Sequence, residues 1–408
     1  MLGLGTGGER AGRAVALGLA LALVVGACSD DSSSDDGDAA PSESSGTADG
    51  GAIVAAGPTV PGDIAEGCGR QAVTDPEDLS AGRVVARCGA GSPAAAPLPA
   101  ATTVRVAVPE EPGPELAPLF VADALGEFEA ENLTVELVPL DDRSAMEAVD
   151  AGTVDVAVGG VGGAYLDALS RGTEARLVLG GVLASNPNDL GRPQAGLWVR
   201  DDALSEDPDL GDLELQPVGS PAGVRSAANY PAGLAFSQTD ITLNEVALRE
   251  SDGPEAASDL LDGRLAAAWL DGAAWARVAD QPGIRLVATL PASESIDGTV
   301  VSSALLGPER RVGLAYARAI IRTINTHLTG DYREDDDVVD AVAEGTGVAA
   351  DELRDLPPLL FDWELRAGTI GRTEEELILI GGVSYDEPLA PDTHVDRTLA
   401  SEAVGASS

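Results

Sequence analysis

Asp150-Ala151-Gly152-Thr153-Val154-Asp155-Val156-Ala157-Val158-Gly159-Gly160-Val161-Gly162-Gly163-Ala164-Tyr165 reads as the end of a helix, a tight turn at Gly152, a buried strand over residues 154–158, and glycines opening into another helix. Glycines placed where a strand hands over to a helix let the backbone approach a guest closely and leave the first helical N–H groups free. The same glycines also suit a bare strand-to-helix crossover. What favours the guest is an echo later in the chain: Asp262-Gly263-Arg264-Leu265-Ala266-Ala267-Ala268-Trp269-Leu270-Asp271 has a turn glycine, a short strand, and a polar residue at the strand's end.

Working outward from the central stretch, apolar spacing predicts strands over 104–108, 133–140 and 176–181. Helices are predicted over 116–129, 144–151 and 164–170, the second opened by the capping box Ser144-Ala145-Met146-Glu147. Alternating strands and helices imply an α/β fold with a mostly parallel sheet covered on both faces. Guests of such sheets bind beyond the carboxyl ends of the strands, here 109–114, 159–163 and 182–188. A second, smaller α/β unit follows the strand Gly196–Arg200. It holds a strand ending at Val218, the turn Gly219-Ser220-Pro221-Ala222-Gly223, a strand over 241–246, a helix over 254–261, and a closing strand over 285–290. Residues 299–306 read as one strand crossing back. Helices are predicted after it over 308–328, 335–344, 349–356 and 373–382, and the acidic run 334–337 as a solvated helix start.

The 408 residues leave room for two domains. A formal net charge of −43 disfavours nucleic acid and anionic membrane surfaces as partners. The chain contains no lysine, so all its basic side chains are arginines or the two histidines, His327 and His394. Neither histidine is near a cysteine in sequence, which argues against a metal site. Cys68 and Cys88 most simply close one disulfide in an oxidising compartment. At the amino end, Arg10 and Arg13 precede an apolar run from Ala14 to Val25 and then Gly26-Ala27-Cys28, the order of a secretory signal. The ending resembles that of bacterial lipoproteins, which implies that Cys28 carries the lipid and tethers the protein to the membrane outside the cytoplasm. The expected organisation is a signal over 1–28, a disordered acidic tether over 29–62, and a disulfide-linked extension with its connector over 63–101.

From about Val104 to Ala400 the chain resembles the periplasmic solute-binding proteins of ABC importers of the nitrate/sulfonate/taurine type. The matching pieces are Ala117-Pro118-Leu119-Phe120-Val121-Ala122 before Gly126-Glu127-Phe128, the strand over 133–140, and Ala151-Gly152-Thr153-Val154-Asp155-Val156-Ala157. To these are added the turn Gly219-Ser220, the 262–269 segment, and Ser384-Tyr385-Asp386-Glu387-Pro388-Leu389. The resemblance implies a type II two-lobed binding-protein fold, with lobe 1 over 102–198 and 299–401 and lobe 2 over 199–298. Two crossing segments, Gly196–Arg200 and 299–306, would act as hinges. A small molecule would bind in the cleft, and the closed form would be recognised by an ABC permease, with no cofactor, no metal and a monomeric protein.

Candidate ligand contacts in the first lobe are Glu110, Glu111, Pro112, Gly160, Val161, Gly162 and Asn186. In the second they are Ser220, Gly223, Val224, Arg225, Ser226, Trp269 and Asp271, with Arg225 and free helical N–H groups suited to an oxyanion. Glu110 and Glu111 pull the other way, toward an amine, a zwitterion or a neutral heterocycle. Some relatives with this fold are enzymes, including one that uses pyridoxal phosphate. A chain without lysine forms no Schiff base, so that chemistry is excluded. Composition does not exclude a hydrolase, but neither histidine lies near a cleft loop and the cysteines are assigned elsewhere, so no enzyme is expected. The competing expectation is a lipoprotein that uses the same fold for sensing or partner docking without transport.

Overall fold

The computed structural model describes residues 67–68, 75, 80, 84–183, 194–205 and 209–406. Cys28, the acidic tether and Asn186 lie outside the described residues.

The first lobe is built from β1 (Thr102–Val108), α1 (Ala117–Ala124), β2 (Leu133–Pro139), α2 (Asp142–Asp150), β3 (Val156–Gly160), α3 (Gly163–Ser170) and β4 (Arg176–Leu179), with the short β5 (Val182–Leu183) after it. The second holds β6 (Gly196–Arg200), β7 (Pro217–Ser220), α4 (Asn229–Phe236), β8 (Ala247–Glu250), α5 (Gly253–Leu261), β9 (Ala267–Leu270), α6 (Ala276–Ala279) and β10 (Ile284–Ala288). The chain then returns through β11 (Asp297–Val301), α7 (Ser303–Leu306), α8 (Arg310–Thr326), α9 (Asp336–Thr346), α10 (Ala350–Asp355), β12 (Leu360–Phe361), α11 (Ala367–Ile380) and α12 (Thr398–Ala403).

The two five-stranded sheets have the same plan. The first has the order β2-β1-β3-β11-β4 and the second, read from its far edge, β8-β7-β9-β6-β10. In each, the first unit's strand lies between the second and third and pairs in parallel with both. In each, one strand runs antiparallel beside the third: β11 against β3 and β4, β6 against β9 and β10. That strand is the first one after the chain has crossed from the other lobe. The segments expected to be crossings, Gly196–Arg200 and 299–306, are therefore not linkers. The first is a strand of the second sheet, and the second divides between β11 and α7. The crossings lie just before Gly196 and Asp297, so lobe boundaries drawn at 198 and 298 cut through two strands.

Local differences from the sequence reading have physical causes. α2 starts at Asp142 because the Asp141 side chain, not Ser144, caps it, accepting from the Ser144 N–H at 3.0 Å. The strand expected over 241–246 is displaced to Ala247–Glu250. Thr242 and Glu245 close a capping box there and turn 243–245 into a 3-10 helix. α11 starts at Ala367 rather than at Thr373, because Ile370 is needed by the first-lobe core.

α8 carries the largest buried helical face, with Tyr316 stacked on Phe128 at a ring-centroid distance of 5.5 Å. Full burial of such a side chain stabilises by about 1.5–3 kcal/mol. The extension before β1 lies along this helix. Cys68 and Cys88 are bonded to each other. The Cys88 N–H donates to Asn325 Oδ1 at 3.1 Å, and Asn325 Nδ2 donates to the Ser92 carbonyl at 3.0 Å. Glu131, fully buried, accepts from Arg318 Nη2 at 2.6 Å and from Arg322 Nη1 at 3.0 Å. Arg318 and Arg322 also donate to the carbonyls of Ala96 and Pro93. The 84–98 segment is thus part of the first lobe's packing rather than a free appendage.

Candidate functional site

Because the two sheets share one plan, their parallel strands place their carboxyl ends toward the junction of the lobes. Acidic residues recur at these ends. Glu115 follows β1, Asp142 follows β2, Asp252 follows β8 and Asp271 follows β9. Asp297 opens antiparallel β11 opposite Gly160, the last residue of β3, and so lies at the same end. Side chains from the two lobes meet here. A Cβ on Gly272 would lie 3.9 Å from Glu115 Oε2, and one on Gly253 would lie 3.4 Å from Glu111 Oε2. Both glycines have positive φ, +50° and +43°, so a side chain there would be strained.

The electrostatics of this group are mostly repulsive, with Arg225 offsetting part of the charge at Asp142. Burial pushes the Glu115 carboxyl up to about 8, with further repulsion from Asp271 and Asp297. Burial, then Asp271 and Asp142, push Asp297 up to about 7. Asp271 and Asp142 are each pushed up to about 6, chiefly by burial, and both feel Asp252. Yet Asp142, Asp252 and Asp271 are exposed, and Glu115 and Asp297 are half-buried. All five therefore keep contact with solvent at the strand ends. Among the described residues, none of the five forms an ion pair with an arginine or histidine.

The glycine-rich stretch at the end of β3 does something else. A Cβ on Gly162 would lie 2.5 Å from the Arg225 carbonyl oxygen and 3.0 Å from the Ala227 nitrogen, and one on Gly163 would collide with the Gly382 carbonyl. These glycines let backbone from the two lobes meet directly, leaving no room for a guest. Arg225 fastens the seam. Its Nη2 donates to the Gly163 carbonyl at 2.9 Å and to Asp167 Oδ2 at 2.7 Å, while Asp167 Oδ1 accepts from the Ser384 N–H and hydroxyl. Burial works against the Asp167 charge, but the Arg225 and Ser384 hydrogen bonds outweigh it and hold the carboxyl below its ordinary range. A groove of about 470 Å³ opens beside this seam between α2 and α3. Its arginines (Arg143, Arg171, Arg225) are matched in number by acids (Glu147, Asp150, Asp167).

The candidate residues therefore divide. Glu110 and Glu111 are exposed, Pro112 is half-buried, and all three lie on the cleft loop after β1. Gly160 borders open space, and Asp271 lies in the carboxylate group. The rest are occupied. Val161 is 2% exposed and its N–H donates to the Ile296 carbonyl at 2.7 Å. Gly162 and Arg225 form the seam, and Val224 contributes its carbonyl there, against Gly382. The Ser220 hydroxyl donates to Asn229 Oδ1 at 2.8 Å, the Gly223 carbonyl accepts from Asn229 Nδ2 at 2.9 Å, and the Ser226 hydroxyl accepts from the Ala228 N–H at 3.2 Å. These bonds shape the turn into α4 and use up the polar groups expected to face an oxyanion. Trp269 is 4% exposed in the second-lobe core, where alternation along β9 turns it away from the cleft. Sequence reasoning missed Glu115, Asp142, Asp252 and Asp297. The signal available was an acid one to a few residues beyond the end of successive strands.

No protein-family model matches the sequence, and no curated protein does. Solved structures do match. The chain is similar to the ligand-binding component of an ABC-type import system from Staphylococcus aureus with zinc bound, at 14% identity over 74% of this chain and 99% of that one, with a TM-score of 0.56. It is also similar to the periplasmic nitrate-binding protein NrtA from Synechocystis, at 9% identity over 76% and 90%, with a TM-score of 0.59. A third similar structure is the aliphatic sulphonate-binding protein SsuA from Escherichia coli, at 14% identity over 73% and 98%, with a TM-score of 0.53. The chain has the periplasmic binding protein fold.

Proposed function

We propose that the protein is an extracytoplasmic solute-binding lipoprotein, anchored through Cys28, that captures a small solute between its lobes and delivers it to an ABC permease. The observation that carries this reading is the pair of matching sheets whose strand ends contribute side chains from both lobes to one solvent-reached cleft. A solute held there touches both lobes only when they are closed, so binding favours the closed form. That form is the state for a permease to recognise. The import proteins with the same fold support the reading, and no covalent step is required of any residue.

The test is to denature the purified protein, identify released small molecules by mass spectrometry, and screen solutes by thermal shift. At least one class is expected to raise the melting temperature by mass action. No released molecule and no shift across a broad library would contradict solute capture. Cys28→Ala is expected to move the protein from the membrane to the soluble fraction. The directly fastened Arg225–Asp167 seam favours a second reading, sensing or partner docking without transport. Uptake that persists unchanged when the gene is deleted would support that reading.

A further inference from the structure

We infer that Glu376 is a proton-operated catch between the lobes: neutral, it seats α11 of the first lobe against α4 of the second, and its ionisation drives the two helices apart. The catch does not depend on which solute is captured, and its test uses none.

The contact joins two cores. Ile370 and Leu377 of α11 are buried in the first-lobe core, Ala232 and Phe236 of α4 are buried in the second, and Ile380 packs against both. An acid lies between them. A Cβ on Gly233 would collide with the Glu376 carboxyl, so that carboxyl rests directly against the bare α4 backbone. Its Oε1 is buried and has no hydrogen-bond partner among the described residues. In such a place an ionised carboxylate lacks both hydrogen bond and counter-charge, whereas the neutral acid costs far less to bury. Burial accordingly pushes Glu376 up to about 7.

The charged groups around the contact are engaged elsewhere. Arg372 stands four residues before Glu376 on the same face of α11, the spacing of an ion pair. Its Nη1 instead donates to Glu294 Oε1 at 3.0 Å and to the Tyr230 hydroxyl at 3.4 Å. Tyr230, the titratable side chain of α4, donates its own hydroxyl to Glu294 Oε2 at 2.8 Å. Also on α11, Glu374 pairs with His394 and accepts from the Tyr385 hydroxyl, and Glu375 is exposed. Among the other elements packed on α11, Asp167 of α3 holds Arg225 of the 223–225 turn, and the Tyr165 hydroxyl of α3 donates to the His394 carbonyl. Glu245 of the 243–245 turn accepts from the Thr242 N–H at 2.8 Å. Glu294 belongs to the segment that crosses from β10 to β11, so the crossing claims Arg372 and leaves Glu376 to be neutralised by a proton.

With the helices apart, the carboxyl is solvated and titrates in its ordinary range, so the closed form binds the proton more tightly. The closed-to-open ratio is therefore highest at low pH and falls as pH rises from the ordinary carboxylate range to about 7. The test compares the purified, ligand-free protein at about pH 5.5 and about pH 8 by small-angle scattering and by hydrogen-exchange protection of the α4 amides. The wild type is expected to show a larger radius of gyration and weaker α4 protection at the higher pH. Glu376→Gln keeps the shape of the side chain but cannot ionise, and is expected to hold the low-pH radius throughout. Gly233→Ala displaces the carboxyl by contact alone and is expected to lose the response. The double variant Asp271→Asn, Asp297→Asn removes acids that ionise over the same range and is expected to respond as the wild type does. A wild-type radius that does not change with pH overturns the inference, as does a Glu376→Gln response equal to the wild type's. Loss of the response in the Asp271, Asp297 variant assigns the opening to the strand-end acids and overturns it too.

Discussion

Beneath α8, Glu131 is fully buried and meets Arg318 and Arg322, whereas Glu115, Asp271 and Asp297 at the strand ends crowd together with no cationic partner among the described residues. The first arrangement joins the 84–98 segment, the turn before β2 and a long helix, and each charge there is satisfied within the chain. The second leaves its charges unsatisfied where two lobes meet and solvent still enters. Carboxylates that repel one another without a cationic partner cost stability, so removing their charge is expected to stabilise the ligand-free protein.

Breaking the paired region has the largest expected effect. Glu131→Ala leaves Arg318 without a carboxylate and Arg322 with Glu127 alone, and is expected to cost about 3–5 kcal/mol, read as a lower urea midpoint at unchanged slope. Arg225→Ala comes next. It removes charge-assisted hydrogen bonds to Asp167 and Gly163, each type of bond being worth roughly 1.5–3 kcal/mol, and is expected to raise the radius of gyration in small-angle scattering as the seam loosens. An unchanged radius would show that the seam does not hold the lobes.

Neutralising the unpaired region should have a smaller effect of opposite sign. The double variant Asp271→Asn, Asp297→Asn is expected to melt slightly higher than the wild type without ligand, and a lower melting temperature would show that these acids are partnered in solution. The pH dependence is the subtlest comparison. A carboxyl whose folded-state pKa lies above its unfolded value binds more protons folded than unfolded, so stability falls as pH rises. Glu115 at about 8, Asp297 at about 7, and Asp271 and Asp142 at about 6 have that sign. Glu376, pushed up to about 7 by burial at the contact of α11 with α4, adds to it. Asp167 and Glu374 have lowered values, and the stability they contribute is lost only as pH falls below the ordinary carboxylate range. Ligand-free stability is therefore expected to fall between about pH 5 and about pH 8 in urea unfolding, and the double variant to flatten the slope.

Much of the fold was legible because it rests on local signals. Alternating strands and helices, the turn at Gly152 and the strand Gly196–Arg200 are set by spacing and by glycine, and the structure places them within a few residues. The site was less legible because it depends on which strand ends meet. Val161, Gly162 and Trp269 look like ligand contacts in sequence, yet one donates to Ile296, one admits the Arg225 backbone and one faces a core. Asp297 gave no signal, since only the antiparallel placement of β11 beside β3 brings it to the cleft.

The most direct measurement is a crystal structure of the protein grown with the solute that the thermal-shift screen identifies. The account predicts density for one small molecule between the lobes, in contact with residues of both. Closed lobes with water alone between them, or a solute bound to one lobe only, would contradict it.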